Sequence, residues 1–366
     1  MQFLDGVCEG KIFPTDTDRD RPCPILDLSP EVPLTGGGTA IYRPADAAIE
    51  IDGGALVGVV PDELDVTVIL IRRVNGVPHL RYLSNGSHFD TYQPWSSTKF
   101  LAAANAGARL RLASGGAVGL TATVDQLPLG DLITSMHTYD WNAYSSNSIA
   151  RYFHDVGGRQ RANAMIHGAW LGRPEGETFG GNYGEPSPGL PYTFEEESGA
   201  TVSIPPDGTS GPANHLSSFT EAEALKRLVL HREDPGHALP DITWDDLRVL
   251  FRGAESSESY GPFGGMSADK AIYLQAGHDM EYLERRSHGQ WRIHSKLGNG
   301  SEGQLVNVAH GCFPVLDDED QPVAGWGREL VIAAHLPAGA GPWRERDRLL
   351  ARSFRAILTR VIDGRL

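Results

Sequence analysis

The sequence has no apolar run of the length that a membrane span needs, which is about 18 consecutive residues. It also lacks an excess of positive charge, because 32 Lys and Arg residues stand against 47 Asp and Glu residues, for a formal net charge of −15. A field of that sign repels phosphate backbones and anionic lipid surfaces. We therefore expect neither a nucleic-acid partner nor a membrane span.

Cysteine is scarce, with three residues in a chain of 366, so the three cannot all pair within one chain. Cys8 and Cys23 are close enough in sequence to form one surface disulfide, and whether they are paired stays open. Cys312 lies in an apolar run and is expected to be a buried thiol.

Metal-binding and phosphate-binding motifs are missing as well. The 13 histidines include no His-x-x-x-His pair, and no Cys-x-x-Cys pair occurs. His88, Asp90, His137 and His167 are nominal ligands, but scattered core and surface histidines are the simpler interpretation. The glycine-rich runs do not follow a strand and open a helix, as a phosphate loop would. No metal or other cofactor is expected.

Both ends of the chain predict strands. Asp65–Arg72 is a β-branched run, and Asn75-Gly76 then leads into a second run, so residues 61–94 predict an antiparallel hairpin with a two-residue turn. Within residues 284–366 three further strands are expected, before an amphipathic helix at Trp343–Ile362. The three strands are Gln290–Ser295, Gln304–Phe313 and Glu329–Leu336.

The middle of the chain, residues 95–283, is mostly helical in pattern. Apolar residues at three- and four-residue spacing predict helices in Thr98–Leu112 and Glu221–Leu230. Residues 171–218 are dense in Gly, Pro, Ser and Glu and show no period, so we expect a long insertion there, either a cover or a solvated loop. Residues 1–60 are expected to form an N-terminal extension.

These patterns predict the fold class. Strands at both ends with helices between them do not alternate, which excludes a doubly wound parallel sheet. They fit an α+β fold in which an antiparallel sheet of about five strands, built from both ends of the chain, is flanked by helices and joined to a mostly helical domain.

The first motif that indicates chemistry is Ser96-Ser97-Thr98-Lys99 at the start of an Ala-rich helix. One turn separates Ser96 from Lys99, so hydroxyl and amine share a face, and the amine can take the hydroxyl proton if burial lowers its pKa. The free N–H groups of a helix start suit a developing oxyanion. The alternative is that Ser96 is a helix N-cap.

The second motif is Ser145-Ser146-Asn147, before another predicted helix. A hydroxyl and an amide two positions apart on a loop can point into one cleft, where Ser145 relays a proton and Asn147 binds a substrate carbonyl. A polar helix cap is the alternative. Of the neighbouring Tyr139, Trp141 and Tyr144, we favour Tyr144 as a cleft residue, although aromatic residues at this spacing often fill a core.

The third motif is Lys296-Leu297-Gly298-Asn299, at the end of a predicted strand. The Lys296 cation lies on an edge strand, and Gly298 lets a substrate lie against the backbone. Together they would make a binding rail for a peptide-like substrate.

The three motifs in this order resemble those of the penicillin-recognising serine hydrolases, which comprise serine β-lactamases, DD-peptidases and related esterases. That family combines Ser-x-x-Lys at a helix start, Ser-x-Asn in the helical domain and Lys-Thr-Gly on a strand. The layout is closest to that of class A β-lactamases, and the resemblance extends from about Asp65 to the C-terminus.

The resemblance implies a role for each matching residue. Ser96 would be the acylated nucleophile, Lys99 its general base, and Ser145 the proton shuttle. Substrate contacts would come from four further residues, with the backbone N–H groups of Ser96 and Asn299 forming the oxyanion hole. These four are Asn147, Lys296, Gly298 and Asn299.

Two departures from the family pattern bear on the substrate. The strand motif of the family has a hydroxyl residue at the position of Leu297, where it contacts a carboxylate of penicillins or peptidoglycan stems, so this chain fits β-lactams less well. No glutamate in the 171–218 region has the Glu-x-x-Leu-Asn setting that activates water in class A enzymes. Four carboxylates stay open for that role: Glu175, Glu177, Glu185 and Glu195. Without such a base an acyl-enzyme would turn over slowly, or stay trapped, unless Lys99 or a neighbour activates water.

The expected function is a serine hydrolase that forms an acyl-enzyme on a β-lactam, peptide amide or ester. The alternatives are a DD-peptidase or esterase of the same fold, which Leu297 favours, and a non-catalytic penicillin-binding or ligand-sensing module. The expected partner is a small-molecule or peptide substrate, and the chain is expected to be a monomer. By resemblance we expect it outside the cytoplasmic membrane after removal of a leader, with a cytoplasmic place left open.

Overall fold

The computed structural model describes residues 11–16, 18, 21–139, 144–181, 183–209, 211–257 and 261–366. Within them the strands, in chain order, are β1 (Glu31–Pro33), β2 (Thr39–Ile41), β3 (Arg43–Pro44), β4 (Ile51–Asp52), β5 (Asp65–Val74), β6 (Val77–Ser84), β7 (Thr91–Tyr92), β8 (Thr123–Val124), β9 (Leu127–Pro128), β10 (Thr193–Glu195), β11 (Thr201–Ser203), β12 (Leu216–Ser217), β13 (Arg292–Asn299), β14 (Leu305–Phe313) and β15 (Arg328–Leu336). The α-helices are α1 (Lys99–Ala113), α2 (Leu129–Thr138), α3 (Ser146–Gly157), α4 (Arg159–His167), α5 (Ser218–Val229), α6 (Trp244–Arg252), α7 (Met280–Arg286) and α8 (Trp343–Ile362). None of these helices combines the length and apolar character needed to cross a bilayer.

One sheet joins the two ends of the chain. Its strand order is β13-β14-β15-β5-β6-β3, with β4 also paired to β6, and its five long strands are antiparallel. The predicted α+β class with an antiparallel sheet of about five strands is confirmed. The turn between β5 and β6 lies at Asn75 and Gly76, whose φ values of 53° and 79° are those that a two-residue hairpin turn requires.

Both faces of the sheet are buried, which explains why its strands are nearly continuous apolar runs. Val68 and Leu70 on β5 contribute to a core with Phe354 of α8, whereas Ile69 and Ile71 between them belong to the core of the helical region. Because side chains alternate along a strand, this division places α8 on one face and α5 on the other.

The helical region is built around α1, which is buried along most of its length and packs against α3. Among the described residues of 171–217 the regular elements are the short strands β10, β11 and β12, in agreement with the absence of a period in their sequence. This insertion packs on α3, because the Tyr152 hydroxyl donates to the Pro191 carbonyl at 2.6 Å and its ring stacks on Tyr192.

Cys312 is buried as predicted, but the prediction that it is a free thiol was wrong. Cys23 forms a disulfide with Cys312, 289 residues further along the chain, with a Cα–Cα distance of 5.9 Å. Cys312 is therefore not a free thiol, and Cys23 is not available to Cys8, which lies outside the described residues. The segment after Cys23 lies beside the sheet, since Asp27 accepts a hydrogen bond from the backbone N–H of Arg73 on β5.

Reduction of this disulfide is expected to lower the free energy of unfolding by about 2–4 kcal/mol, because the crosslink restricts the unfolded chain over a long loop. Urea unfolding of the Cys23→Ser/Cys312→Ser double variant would measure the loss. A Cys8→Ser variant is the matched control and should unfold like the parent protein. Peptide mapping without reductant that finds Cys8 joined to Cys23 would contradict the assignment.

Candidate active site

Ser96 lies in a short 3-10 turn, Trp95–Thr98, that leads directly into α1. Its side chain is half-buried and makes no capping bond to α1, whose N-cap is Thr98. The next residue, Ser97, is buried and hydrogen-bonds to the carboxyl group of Glu221 on α5. The hydrogen bond from Ser97 to α5 thus holds the turn in place. The alternative that Ser96 is a helix N-cap is not what the structure shows, because Ser96 makes no capping bond.

The carboxyl group of Glu221 behind this turn is unusual in its ionisation. Burial raises the pKa of Glu221 to about 7, although the hydroxyl groups of Ser97 and Tyr92 both lower it. The Tyr92 hydroxyl donates to this carboxyl group at 2.6 Å. Glu221 therefore supports the turn as a hydrogen-bonding group, and its charge changes near neutral pH.

Lys99, one turn after Ser96, is wholly buried at the start of α1. Its Nζ donates to Ser146 Oγ at 2.9 Å and to Asn147 Oδ1 at 2.7 Å, both neutral acceptors. Burial lowers the pKa of Lys99 well below its usual range, and the nearby charge of Lys296 lowers it further, while Glu185 opposes the shift. A neutral amine at this position can accept a proton.

The second motif reaches Lys99 through two of its three residues. Asn147 accepts from Lys99, and its amide donates to Glu185 Oε1 at 3.4 Å. Ser145, the predicted proton shuttle, instead caps α3 by accepting from the Ser148 N–H at 3.1 Å, and its hydroxyl donates to Glu185. The hydroxyl that contacts Lys99 belongs to Ser146, one residue later than the sequence pattern indicated.

The third motif places Lys296 and Gly298 of β13 against the turn that holds Ser96. Burial lowers the pKa of Lys296 to about 8, with Asp269 opposing the shift from 4.0 Å. A Cβ atom at Gly298 would lie 2.6 Å from the Pro94 carbonyl oxygen and 3.1 Å from the Ser96 nitrogen. Only glycine allows this approach of strand and turn. Asn299 ends the strand and is half-buried.

Tyr139 is a site residue that the sequence named beside Tyr144 but did not favour. It caps the C-terminus of α2 in the left-handed conformation, with φ 57°. Lys296 Nζ donates to its hydroxyl at 2.6 Å, the hydroxyl donates to the Leu297 carbonyl at 2.6 Å, and Ser96 also hydrogen-bonds to it. Burial, followed by the charge of Asp269, raises the pKa of Tyr139, so this hydroxyl stays protonated.

The favoured aromatic residue, Tyr144, is half-buried and packs against the core of the helical region. The sequence contained no periodic or compositional signal that separated Tyr139 from it.

The four candidate glutamates of the insertion differ sharply in position. Glu185 is the one that contacts the second motif, through Ser145 and Asn147. Glu177 is buried and used by Arg173 and Ser217, and Glu175 and Glu195 are exposed. Of the four, Glu185 alone is a cause of the Lys99 pKa shift.

Leu297 points away from these groups. Its side chain is buried in the core between the sheet and α8, and only its backbone carbonyl reaches the site, where it accepts from Tyr139 and Lys296. The position that carries a hydroxyl in the family motif is therefore apolar and covered in this chain.

Comparison with known proteins yields similarity in structure only. No family model matches the sequence, and no curated protein matches it. Among solved structures the chain is similar to a point mutant of the class A β-lactamase of the last common ancestor of Gram-negative bacteria, with 15% identity over 83% of this chain and 96% of that chain and a TM-score of 0.48. It is also similar to a class A β-lactamase from Mycobacterium abscessus, with 13% identity over 83% and 95% of the two chains and a TM-score of 0.45. At such identities the activity has to follow from the groups of the site itself.

Proposed function

We propose that this chain is a serine hydrolase of the β-lactamase-like kind, which forms an acyl-enzyme at Ser96 on a β-lactam, peptide amide or ester. The observation that supports this best is the setting of Lys99, a wholly buried amine whose Nζ has two neutral acceptors and a second buried ammonium nearby. Burying an amine is costly unless the group is neutral, and a neutral amine one turn from a hydroxyl is a general base.

Acylation begins with transfer of the Ser96 hydroxyl proton to the Lys99 amine. Ser96 Oγ then bonds to the carbonyl carbon, and the carbonyl π electrons move to its oxygen. We assign the oxyanion to the backbone N–H groups of Ser96 and Asn299, a pairing that the close approach of β13 to the turn supports. The contacts of Asn147 with Lys99 favour its amide as the group that orients the substrate carbonyl.

Collapse of this intermediate breaks the bond to the leaving group, which needs a proton. We assign that transfer to the Tyr139 hydroxyl, which hydrogen-bonds to both Ser96 and Lys296. The Lys296 ammonium stabilises the charge that develops on the phenolic oxygen and can return a proton to it. Ser145, which donates to Glu185, has no such connection to Lys296 among the described contacts.

Deacylation requires a water molecule that loses a proton as it attacks the acyl carbon. The bond from that carbon to Ser96 Oγ then breaks, and Ser96 takes back its proton from the Lys99 ammonium. We assign its activation to Glu185, because this carboxylate hydrogen-bonds to Asn147, which in turn holds Lys99. With Glu185 in this position, turnover rather than trapping is the expected outcome.

Tyr139→Phe should lower the acylation rate by about 10²–10³-fold, because the ring is kept and only the proton-transferring hydroxyl is lost. Stopped-flow acylation with a chromogenic substrate would measure the change. Tyr144→Phe is the matched control and should retain the parent rate within about threefold. Equal rates for Tyr139→Phe and the parent protein would assign the proton transfer to another group.

Burial of Leu297 favours a second candidate, a DD-peptidase or esterase of the same fold. A substrate carboxylate finds no hydroxyl at this position, because the Leu297 side chain lies in the core behind the strand. Substrates without that carboxylate, such as simple acyl esters, lose no hydrogen bond when the protein lacks this hydroxyl.

Three acyl donors separate these candidates. The protein is incubated with nitrocefin, a fluorescent penicillin and a p-nitrophenyl ester, and both turnover and intact mass are recorded. Hydrolysis of nitrocefin supports a β-lactamase, and hydrolysis of the ester with slow penicillin labelling supports an esterase or peptidase. No mass increase and no turnover with any of the three would leave a non-catalytic binding module and refute the proposal.

We also propose that the protein acts outside the cytoplasmic membrane. The Cys23–Cys312 disulfide supports this, because such bonds persist in oxidising compartments.

A further inference from the structure

A cavity of about 340 Å³ lies at the opposite end of β13 from Lys296 and Gly298. Its floor is the sheet, where polar side chains of β5, β13, β14 and β15 line it. Its walls are α6 and the residues that follow α5. Residues 21–23 form a third side, and the Cys23–Cys312 disulfide ties them to β14.

Hydrogen bonds across the cavity floor join two histidines to a carboxylate. Burial would raise the pKa of Glu329, but Arg73 and His310 lower it to about 2, so this carboxylate is ionised. His310 Nε2 therefore donates to Glu329 Oε1, at 2.8 Å. His310 Nδ1 lies 3.1 Å from His294 Nδ1, and these two atoms share a hydrogen bond.

His294 is the histidine of this pair that has an unused ring nitrogen. Burial, then the charges of Arg252 and His310, lower the pKa of His294, so the ring is neutral. Its Nε2 is buried and has no hydrogen-bond partner among the described residues. A buried polar atom without a partner is costly, and a bound hydroxyl group, which can donate or accept, would satisfy it.

Arg292, two residues earlier on the same face of β13, offers the complementary group. The residue is 8% exposed, and its Nη1 donates to the Arg21 carbonyl, whereas Nη2 is buried and unpaired within the described part of the chain. Burial lowers the pKa of Arg292 to about 10, and Asp16 and Asp18 oppose this only in part. The guanidinium therefore has unused capacity for an anion.

Flat side chains line the cavity beside these two polar groups. His294 stacks on Phe251 with ring centres 4.6 Å apart, and the Arg232 guanidinium lies 4.1 Å from the ring centre of Trp244. All four side chains line the cavity. Such walls favour a planar apolar body over a small inorganic ion.

We propose that this cavity binds a small aromatic carboxylate that also carries a hydroxyl group, of the hydroxybenzoate class. The carboxylate pairs with Arg292, the ring lies against Phe251 and Trp244, and the hydroxyl hydrogen-bonds to His294 Nε2. The site is separate from Ser96 and does not depend on the proposed hydrolase function.

Isothermal titration of the full chain, with its disulfide intact, tests the proposal with four probes: 4-hydroxybenzoate, benzoate, phenol and inorganic phosphate. We expect one saturable site for 4-hydroxybenzoate, with benzoate at least threefold weaker and phenol at least tenfold weaker. Arg292→Gln should weaken 4-hydroxybenzoate at least tenfold, and His294→Phe should remove its advantage over benzoate. Arg352→Gln, on the exposed face of α8, is the matched control and should bind like the parent protein.

Three results would overturn the proposal: no saturable binding of either benzoate, equal affinity for inorganic phosphate, or undiminished binding by Arg292→Gln. If Arg292→Gln fails to fold, Arg232→Gln at the cavity wall takes its place, with the same tenfold expectation. None of these measurements uses acyl-transfer activity, so failure here leaves the hydrolase proposal intact, and failure of the hydrolase proposal leaves this one intact.

Discussion

Ser96→Ala should abolish the covalent adduct with a penicillin or an activated ester and lower kcat/KM by at least about 10⁴-fold. The expected loss is large because the substitution removes the nucleophile itself, while the buried amine of Lys99 and the strand β13 stay in place. Intact-mass spectrometry after exposure to the acylating compound, together with steady-state rates, would measure it.

Ser97→Ala is the matched control for this experiment, since it removes the neighbouring hydroxyl of the same turn. Ser97 is buried and bonds to Glu221, so its loss should cost roughly 1 kcal/mol of stability and leave labelling intact. An adduct that persists in Ser96→Ala, or that disappears only in Ser97→Ala, would place the nucleophile elsewhere and refute the mechanism.

The sheet could be predicted because its signals are local. The Asn75-Gly76 turn sets the register of β5 and β6, and three apolar runs near the C-terminus are long enough to be strands. The predicted closing helix has the bounds found in the structure, Trp343–Ile362, because its apolar residues recur with the helical period. Which strands pair was inferred from the order of strands and helices rather than from any one residue.

The site could be predicted only in part. Ser96 and Lys99 are one helical turn apart in the sequence, whereas the other contacts of the site join residues that are far apart in the sequence. The spacing of Ser96 and Lys99 follows from the helix, but Tyr139 meets Lys296 across 157 positions and Leu297 across 158. Tyr139 reaches these residues because its backbone is left-handed at the end of a helix. That conformation is uncommon for a residue other than glycine, and no sequence rule predicts it. The Cys23–Cys312 pair, 289 positions apart, is non-local in the same way.

A difference of one residue separates the expected and observed use of the second motif. Ser145 and Ser146 are both hydroxyl residues, and the start of α3 decides which of them caps the helix. Once Ser145 accepts from the Ser148 N–H, its side chain faces Glu185, and Ser146 is turned toward Lys99. A helix boundary, which sequence patterns locate only within a few residues, therefore determines which hydroxyl joins the site.

Lys99→Met should lower the acylation rate by about 10³–10⁴-fold, because the methionine keeps the length and apolar stem of the side chain and removes the proton acceptor. Stopped-flow acylation under single-turnover conditions would measure it. Lys226→Met is the matched control, since Lys226 is also a buried lysine but pairs with Glu223 on α5, remote from Ser96 in its contacts. It should lose stability and keep the acylation rate.

The pH dependence of acylation gives the second test of Lys99. In the proposed mechanism Lys99 must be neutral while Lys296 must be protonated. Lys99 acts as a base only when neutral, so activity is present above its lowered pKa and is lost as the pH falls through it. Lys296 acts only when charged, so activity is present below its pKa of about 8 and is lost as the pH rises through that value. The profile of kcat/KM should therefore be bell-shaped, and the residual activity of Lys99→Met should lack the acidic limb. An unchanged acidic limb in that variant would assign the base to another residue.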